Sequence, residues 1–475
     1  MSKILAEIFP ILDHLYIYQI LEYDSVVFLS WFCKYPLKRN LQVKHKLQFS
    51  KKVVALLLGT IFWQIFAAYF LSIQYSISFW LLIIFFQFIT PIFIILSHLN
   101  ILPFEIYLKD KILDKTKQKL KHLPNLKIVA ITGSFGKTST KDILYTLLWK
   151  KYYVVKTPKS FNTPLGIAQT ILEDVKSNTQ ILIAEIGAYR LGEIAKIARL
   201  IKPQIGIITA VAPQHLERFG SLENIAQAKF ELVKNLTPQG LAILNSEYSV
   251  LNNLASYLRG SLREASVRTK FYGQNSPVFA SDIKTSIDGT SFTMHTPRGI
   301  TQIYIPLTGE HHVSNFLAAV TAAMQLGLGL QEIRRRANLL LPTPHRLEIS
   351  KQGSLTIIDN TYNTNPKSAK SSLNLLRNYP ASQRIIITPG LVELGKEAGK
   401  ENQNLAKTAA EIVDQFIIVG ENAKKDLLVG LKAARFPKEK IHPVNSTKEG
   451  INLLAQISKP NAAVLLENDL PDQYF

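Results

Sequence analysis

The sequence predicts an α/β protein in three parts. An N-terminal transmembrane helical hairpin comes first, then a central P-loop domain on a parallel sheet, then a smaller Rossmann-like α/β domain. Three observations predict it. Two long runs without a formal charge, Val53–Ile73 and Ser76–Leu99, precede the rest of the chain. An apolar run, Ile128–Ile131, breaks at Gly133 and Gly136, and a helical pattern starts at Lys137. From there to the end, short apolar runs alternate with helix-period segments, as in parallel sheets.

Composition supports the first part. Of 475 residues 47% are hydrophobic and 19% charged, with a net charge of +20. That balance is apolar for a wholly soluble chain, and much of the basic excess flanks the uncharged runs. Lys34, Lys38, Arg39, Lys44, Lys46, Lys51 and Lys52 precede them; Lys109, Lys111, Lys115, Lys117, Lys119 and Lys121 follow. Each run is long enough to cross a hydrocarbon core of ~30 Å as a helix. Basic flanks at both outer ends and an uncharged link at Gln74–Tyr75 place both ends on the cytoplasmic side, with membrane lipid as a partner. In a bacterium this is the inner membrane, with the later domains facing the cytoplasm. No basic-aromatic motif supports nucleic-acid binding. Cys33 is the only cysteine, which excludes internal disulfides and a multi-cysteine zinc site.

The expected boundaries follow. Residues 1–105 form the anchor, with spans at about 53–73 and 76–99. Residues 1–33, apolar with scattered acids, fit an interfacial amphipathic helix. Residues 106–124 read as a polar helical linker ended by Pro124. The central domain, 125–342, has strand candidates at Ile128–Thr132, Tyr152–Lys156, Gln180–Glu185, Gln204–Thr209 and Leu241–Asn245, and an antiparallel patch between 267 and 306. Helices at Val313–Leu326 and Gln331–Leu339 close it, and Pro342-Thr-Pro344 marks the boundary. In the C-terminal domain, 343–475, strands are expected at Leu355–Asp359, Arg384–Thr388, Gln415–Val419 and Ala462–Leu466.

The strand, glycine turn and helix start at 127–140 form a phosphate cradle. Gly133, Ser134, Gly136, Lys137, Thr138 and Ser139 supply backbone N–H groups, a cation and hydroxyls, with Thr138 able to reach Mg²⁺. Position 131, where the common P-loop has its first glycine, is Ile, which leaves G-x-x-G-K-T-S; a chance glycine turn is the alternative. The chain is expected to bind ATP. Parallel sheets present ligands at the C-terminal ends of their strands. Glu185, ending one strand, puts a carboxylate beside the cradle, where it could hold Mg²⁺. His215 follows another strand end, a position more often filled by a surface residue than by a ligand. Lys229, with Ile225 and Leu232, lies on the apolar face of a helix, where an unpaired ammonium is costly. A lysine that snorkels to solvent is the other reading.

Eight stretches together resemble the Mur ligases, which join an amine to a carboxylate using ATP: ITGSFGKTST, SFNTPLGIAQTIL, ILIAEIGA, HLERFGS, AQAKFELV, GEHHVSNFLAA, PHRLE and NTYNTNPKS. The resemblance covers about residues 125–475 and is nearest to the branch that adds D-alanyl-D-alanine in peptidoglycan synthesis. It implies that Lys137 contacts the β/γ-phosphates and that Thr138 and Glu185 hold Mg²⁺. It implies a carbamylated Lys229 and a second Mg²⁺ held with the help of His215. Asn315 would recognise adenine, and Arg346 would close over ATP from the C-terminal domain. The acceptor carboxylate would attack the γ-phosphate, and an amine would then displace phosphate from the acyl phosphate. The partners implied are a cell-wall precursor or lipid-linked carboxylate acceptor and an amino-acid or dipeptide amine donor.

Departures from the family pattern bear on the substrates. Two adjacent aspartates become Asp359-Asn360, so the ribose carboxylate is either missing or supplied by Asp359. Thr388-Pro-Gly-Leu-Val-Glu-Leu-Gly stands where Gly-Asp precedes the Met-x-Glu-Leu-Gly stretch. Leu466-Glu-Asn-Asp-Leu-Pro-Asp472 replaces a Lys-Gly-Ser-Arg stretch associated with the dipeptide, and its acids are expected to favour a cationic group over a free carboxylate. The hairpin stands in place of the domain that grips the uridine nucleotide sugar. A lipid-linked or polyglutamate-like acceptor is therefore the alternative substrate, and a non-catalytic nucleotide-binding envelope scaffold the alternative of another class.

Overall fold

The computed structural model describes residues 10–35, 47–158, 161–188, 190–212, 219–261, 267–342, 346–361, 365–392 and 394–468. The chain divides into two compact units, 1–111 with 470–475, and 112–469.

The first unit is helical. Helices α1 (Ile11–Ile20) and α2 (Ser25–Lys34) meet at Glu22 and Tyr23, both at positive φ, and Asp24 caps α2 by accepting from Val26 N and Val27 N. Instead of one interfacial helix, residues 11–34 form two short ones. Leu15, Tyr18 and Phe28 of this pair are fully buried with Leu56 and Ile94. The following helices are α3 (Lys51–Tyr75), α4 (Phe79–Phe88) and α5 (Thr90–Lys121). The first expected span is thus a single helix, whereas the second is divided. Pro91 has no N–H to continue α4, and the carbonyl of Phe86 accepts from Thr90 Oγ1 at 3.3 Å and Gln64 Nε2 at 3.4 Å. A Cβ on Gly59 would lie 2.2 Å from Ser97 Oγ, so glycine allows α3 and α5 to approach closely. The expected linker is no separate element, because α5 continues through it to Lys121. By length and composition α3 and α5 are long and apolar enough to cross a membrane, and they leave side chains such as Leu58, Phe62, Phe70 and Leu99 exposed.

The second unit carries two parallel sheets. Strands β1 (Lys127–Thr132), β2 (Val154–Lys156), β3 (Ile181–Glu185), β4 (Ile205–Ile208), β5 (Leu241–Asn245) and β6 (Arg268–Tyr272) form the first, in the order β2-β3-β1-β4-β5-β6. Every neighbouring pair is parallel. The sheet is buried on both faces, which explains the unbroken apolar runs. Val129 and Ile131 join the core of helix α6 (Lys137–Leu148), whereas Ile128 and Ala130 join the opposite core with helices α7 (Pro164–Glu173), α8 (Glu193–Ile201) and α9 (Leu222–Lys234). The helix after β1 therefore lies on one face and the helix after β3 on the other. That reversal between adjacent strands makes a crevice at their C-terminal ends.

The antiparallel patch is smaller than expected. It holds β7 (Phe279–Thr285), β8 (Thr290–Thr296) and β9 (Gly299–Ile305), because β6 joins the parallel sheet. Helices α10 (Ser249–Ser261), α11 (Glu310–Gln325) and α12 (Leu330–Ala337) complete this part. The second sheet runs β10 (Glu348–Gln352), β11 (Leu355–Asn360), β15 (Ala463–Glu467), β12 (Arg384–Thr388), β13 (Gln415–Val419), β14 (Ile441–Val444). Its edges β10 and β14 were not among the expected strands. Strand β10 is antiparallel, and β14 carries Pro443, which an edge position tolerates.

Candidate active site

The glycine turn is built by close approach. Gly133 has φ +152°, and a Cβ there would sit 2.1 Å from Thr209 Oγ1; Gly136 has φ +80°, and its Cβ would meet Asn315 Oδ1 at 2.3 Å. Only glycine fits at either position. Beyond β4 the chain clasps the loop: Ser134 N donates to Ala210 O at 2.9 Å, Ser134 Oγ donates to Ala212 O at 3.0 Å, and Thr209 Oγ1 donates to Phe135 O at 2.5 Å. The loop then enters α6 with Gly136 as its N-cap, so the helix N-terminus faces the crevice.

Lys137 Nζ donates to Gly133 O at 2.7 Å and Ser134 O at 3.3 Å, which holds the ammonium over the loop. Burial lowers its pKa to about 8; Glu185 acts in the opposite direction and Arg346 in the same one. Thr138 Oγ1 donates to Glu185 Oε2 at 2.9 Å, so the hydroxyl and the carboxylate lie side by side. Lys141, which sequence reasoning missed, donates to the same oxygen at 3.1 Å. Ser139 lies on the wall of the adjoining cavity.

Lys229, on α9, is 3% exposed. Its Nζ lies 5.7 Å from the Phe219 ring, and burial lowers its pKa to about 7, with Lys137 adding to the effect and Glu193 and Glu231 opposing it. The apolar placement expected from helix spacing therefore holds. His215 lies outside the described residues, with Pro213 and Glu217. Among the described residues no three His, Cys, Asp or Glu side chains converge on a metal position. The Thr138–Glu185 pair offers hard oxygen donors of the type Mg²⁺ takes, so those residues fit such an ion.

The cavity beside the loop is lined from both sheets. Phe135, Gly136 and Asn315 face Arg346, Asn360 and Ser368 across it. Asn315 therefore packs on the turn, and Arg346 reaches the cavity from the C-terminal part. Asp359 is not among the lining residues; its Oδ1 accepts from Thr361 N at 3.0 Å and Thr361 Oγ1 at 2.6 Å. The wall position belongs to Asn360, whose Nδ2 donates to Glu467 Oε1 and Oε2 at 3.0 and 3.2 Å. Glu467 is fully buried and also accepts from Ser372. It therefore cannot present its charge to a substrate as the acidic stretch at 466–472 suggested; Asp469 and Asp472 lie outside the described residues. A neighbouring pocket does carry acids, with Glu247, Glu397 and Glu401 set around Phe135 and Ala212. Asn245, at the end of β5, donates to Thr209 O at 3.2 Å and to Ser314 Oγ at 3.2 Å. The strand-end rule that singled out Glu185 could have found it.

A glycine turn opening a helix, a carboxylate on the adjacent strand end and a second α/β sheet sharing the cavity define a nucleotide-binding protein of the two-domain α/β class. The family models for the Mur ligase middle domain and for the Mur ligase, glutamate ligase domain match residues 131–323 and 345–467. The UDP-N-acetylmuramoyl-tripeptide–D-alanyl-D-alanine ligase of Buchnera aphidicola subsp. Baizongia pistaciae is 30% identical over 326 residues, 68% of this chain and 70% of that one. Its counterpart from the subspecies Acyrthosiphon pisum is 33% identical over 301 residues, 62% of this chain; this chain spans only 64% of that ligase. Crystal structure I of MurF from Acinetobacter baumannii superposes with a TM-score of 0.68 at 26% identity, covering 76% of this chain and 77% of that one. The chain belongs to the Mur ligase family.

Proposed function

We propose that this chain is an ATP-dependent ligase of peptidoglycan synthesis that forms an amide bond through an acyl phosphate, in the manner of the D-alanyl-D-alanine-adding enzymes. The observation that carries it is Lys137, Thr138 and Glu185 gathered at the C-terminal ends of β1 and β3, with the buried Lys229 near enough to Lys137 to feel its charge. Its support comes also from the likeness to the two Buchnera ligases.

In this reading the triphosphate lies on the glycine turn, with backbone N–H groups and Lys137 against its β- and γ-phosphates. An acceptor carboxylate attacks the γ-phosphorus and displaces ADP, and the charge spread over the transferring oxygens is offset by Lys137 and the α6 N-terminus. Mg²⁺, when bound by Thr138 and Glu185, supplies further neutralisation of that charge. An amine then attacks the acyl carbon and expels phosphate. The acid-lined pocket at Glu247, Glu397 and Glu401 suits the approach of an ammonium group, which must lose a proton before attack. Asn315 faces adenine, and Arg346 brings the C-terminal domain over the nucleotide and excludes water from the acyl phosphate. Lys229, with a pKa of about 7, is partly uncharged at neutral pH. That is the form that can add carbon dioxide to become a carbamate, a second carboxylate-like metal ligand.

Helices α3 and α5 act as a membrane anchor with both ends cytoplasmic, holding the ligase at the inner leaflet. A tether raises the local concentration of a lipid-linked acceptor without any new contact, which favours a membrane-borne acceptor over a soluble one. The direct test is ATP-dependent phosphate release with product formation, which Lys137→Ala should abolish. Near-normal turnover in that variant would overturn the assignment of the ATP site.

A further inference from the structure

The mechanism leaves the buried charge of Lys141 unused. Lys141 is 1% exposed on α6, one turn beyond Lys137 and Thr138, and its Nζ donates to Glu185 Oε2 at 3.1 Å. Glu185 is itself 1% exposed, and the same Oε2 already accepts from Thr138. The backbone N–H of Glu185 donates to Thr157 Oγ1 at 3.1 Å, which fixes the strand end that carries the carboxylate. A lysine so placed is not a solvated surface charge. Its ammonium is directed at the one carboxylate that the proposed metal site draws from β3.

A buried carboxylate without a counter-charge is strongly disfavoured. A divalent ion placed on Glu185 would neutralise it, but would also lie within a few ångströms of the Lys141 ammonium, with Lys137 nearby. Repulsion between a divalent ion and a buried monovalent cation at such a distance is large at any effective dielectric appropriate to a protein interior. The phosphates of a nucleotide reverse that balance, since they add several negative charges on the other side of Thr138.

The geometry points to Lys141 as a positioning residue that acts through Glu185: it is the standing counter-ion of this carboxylate, and it keeps the free protein from holding a divalent cation there. The cation then enters together with the nucleotide phosphates rather than before them. The inference rests on Glu185 as a metal ligand, which is part of the proposed function, and adds the order in which metal and nucleotide arrive.

The experiment measures Mn²⁺ binding to the full-length protein in detergent by electron paramagnetic resonance, with and without a non-hydrolysable ATP analogue, together with thermal stability. The wild type should bind Mn²⁺ weakly alone and well with the analogue. Lys141→Met should bind Mn²⁺ alone roughly tenfold tighter or more, melt lower than wild type without metal, and recover its melting temperature as Mn²⁺ is added. The double variant Lys141→Met/Glu185→Gln, with neither charge, should fold without metal and lose the metal-linked shift. It therefore separates a loss of metal control from a general loss of stability. Equal Mn²⁺ affinity of wild type and Lys141→Met without nucleotide would overturn the inference while leaving Glu185 a ligand. Absence of Mn²⁺ binding to wild type and Lys141→Met even with the analogue would remove the metal site and the inference together.

Discussion

At the residue scale the site is a problem of crowded cations. Lys141 and Lys229 are buried and Lys137 is half-buried around the phosphate loop, and each needs a neutral form, an anionic partner or a ligand's charge. Lys137, Thr138 and Glu185 were legible in the sequence because order along successive strand ends is enough to place them. Lys141 was not, since nothing in the local sequence distinguishes it from a solvated lysine on α6. For Lys229, a carbamate is expected in the active protein. Lys229→Ala should be nearly inactive and partly rescued by a short carboxylic acid that fills the vacated space. No rescue, with an unmodified lysine at high resolution under bicarbonate, would count against the carbamate. His312 carries a separate pH effect. It is 3% exposed, and burial, then His311 and Arg346, hold its pKa well below the ordinary value of 6.5. Below pH ~6.5 the unfolded chain therefore binds a proton that the folded one refuses, so stability is lost as pH falls, by up to ~1.4 kcal/mol per pH unit from this group. Denaturant midpoints between pH 7 and 5 should fall less steeply in His312→Gln than in wild type, and equal slopes would refute the effect.

At the element scale the strands of the two sheets were largely legible, because buried parallel strands are short unbroken apolar runs. What the sequence hid were elements defined by their neighbours. Strand β6 has the mixed pattern of an edge strand, so its parallel pairing with β5 is a matter of tertiary contact. Helix α5 joins an apolar half to a basic half that composition alone divides at about residue 105. The pairing of Asn360 with Glu467 was also hidden, for these residues are far apart in sequence and meet only through the register of β11 and β15. That contact explains how the departures at 360 and 467 fit together, since the amide donates to a carboxylate that a second carboxylate would repel. Asn360→Asp should therefore destabilise the protein by ~3 kcal/mol. Asn360→Asp/Glu467→Gln should recover most of that, because the new amide can donate to the new carboxylate. Additive losses measured by chemical denaturation would contradict a direct coupling.

At the scale of the whole molecule, a Mur-type ligase unit follows a helical unit whose long helices α3 and α5 expose apolar side chains. The uncharged runs within them were plain in the sequence; the continuation of α5 to Lys121, the break at Thr90-Pro91 and the docking of α1 and α2 against α3 and α5 were not, because they depend on side chains such as Gln64 and Tyr18 meeting distant helices. If the unit is an anchor with both ends cytoplasmic, reporter fusions at Lys52 and Lys109 should give cytoplasmic signals and one at Tyr75 an external signal. An external signal at Lys109 would put the ATP site where there is no ATP. The most direct measurement compares acceptors for the purified full-length protein in lipid. Phosphate release and amide formation are followed with UDP-N-acetylmuramoyl tripeptide plus D-alanyl-D-alanine, and with a membrane lipid extract plus the same donor or single amino acids, in wild type and Lys137→Ala. The expected result is ATP-dependent amide formation by the wild type alone, faster with the membrane-borne acceptor. Absence of ATP turnover with every acceptor in the wild type, or equal activity in Lys137→Ala, would contradict a ligase built on this loop.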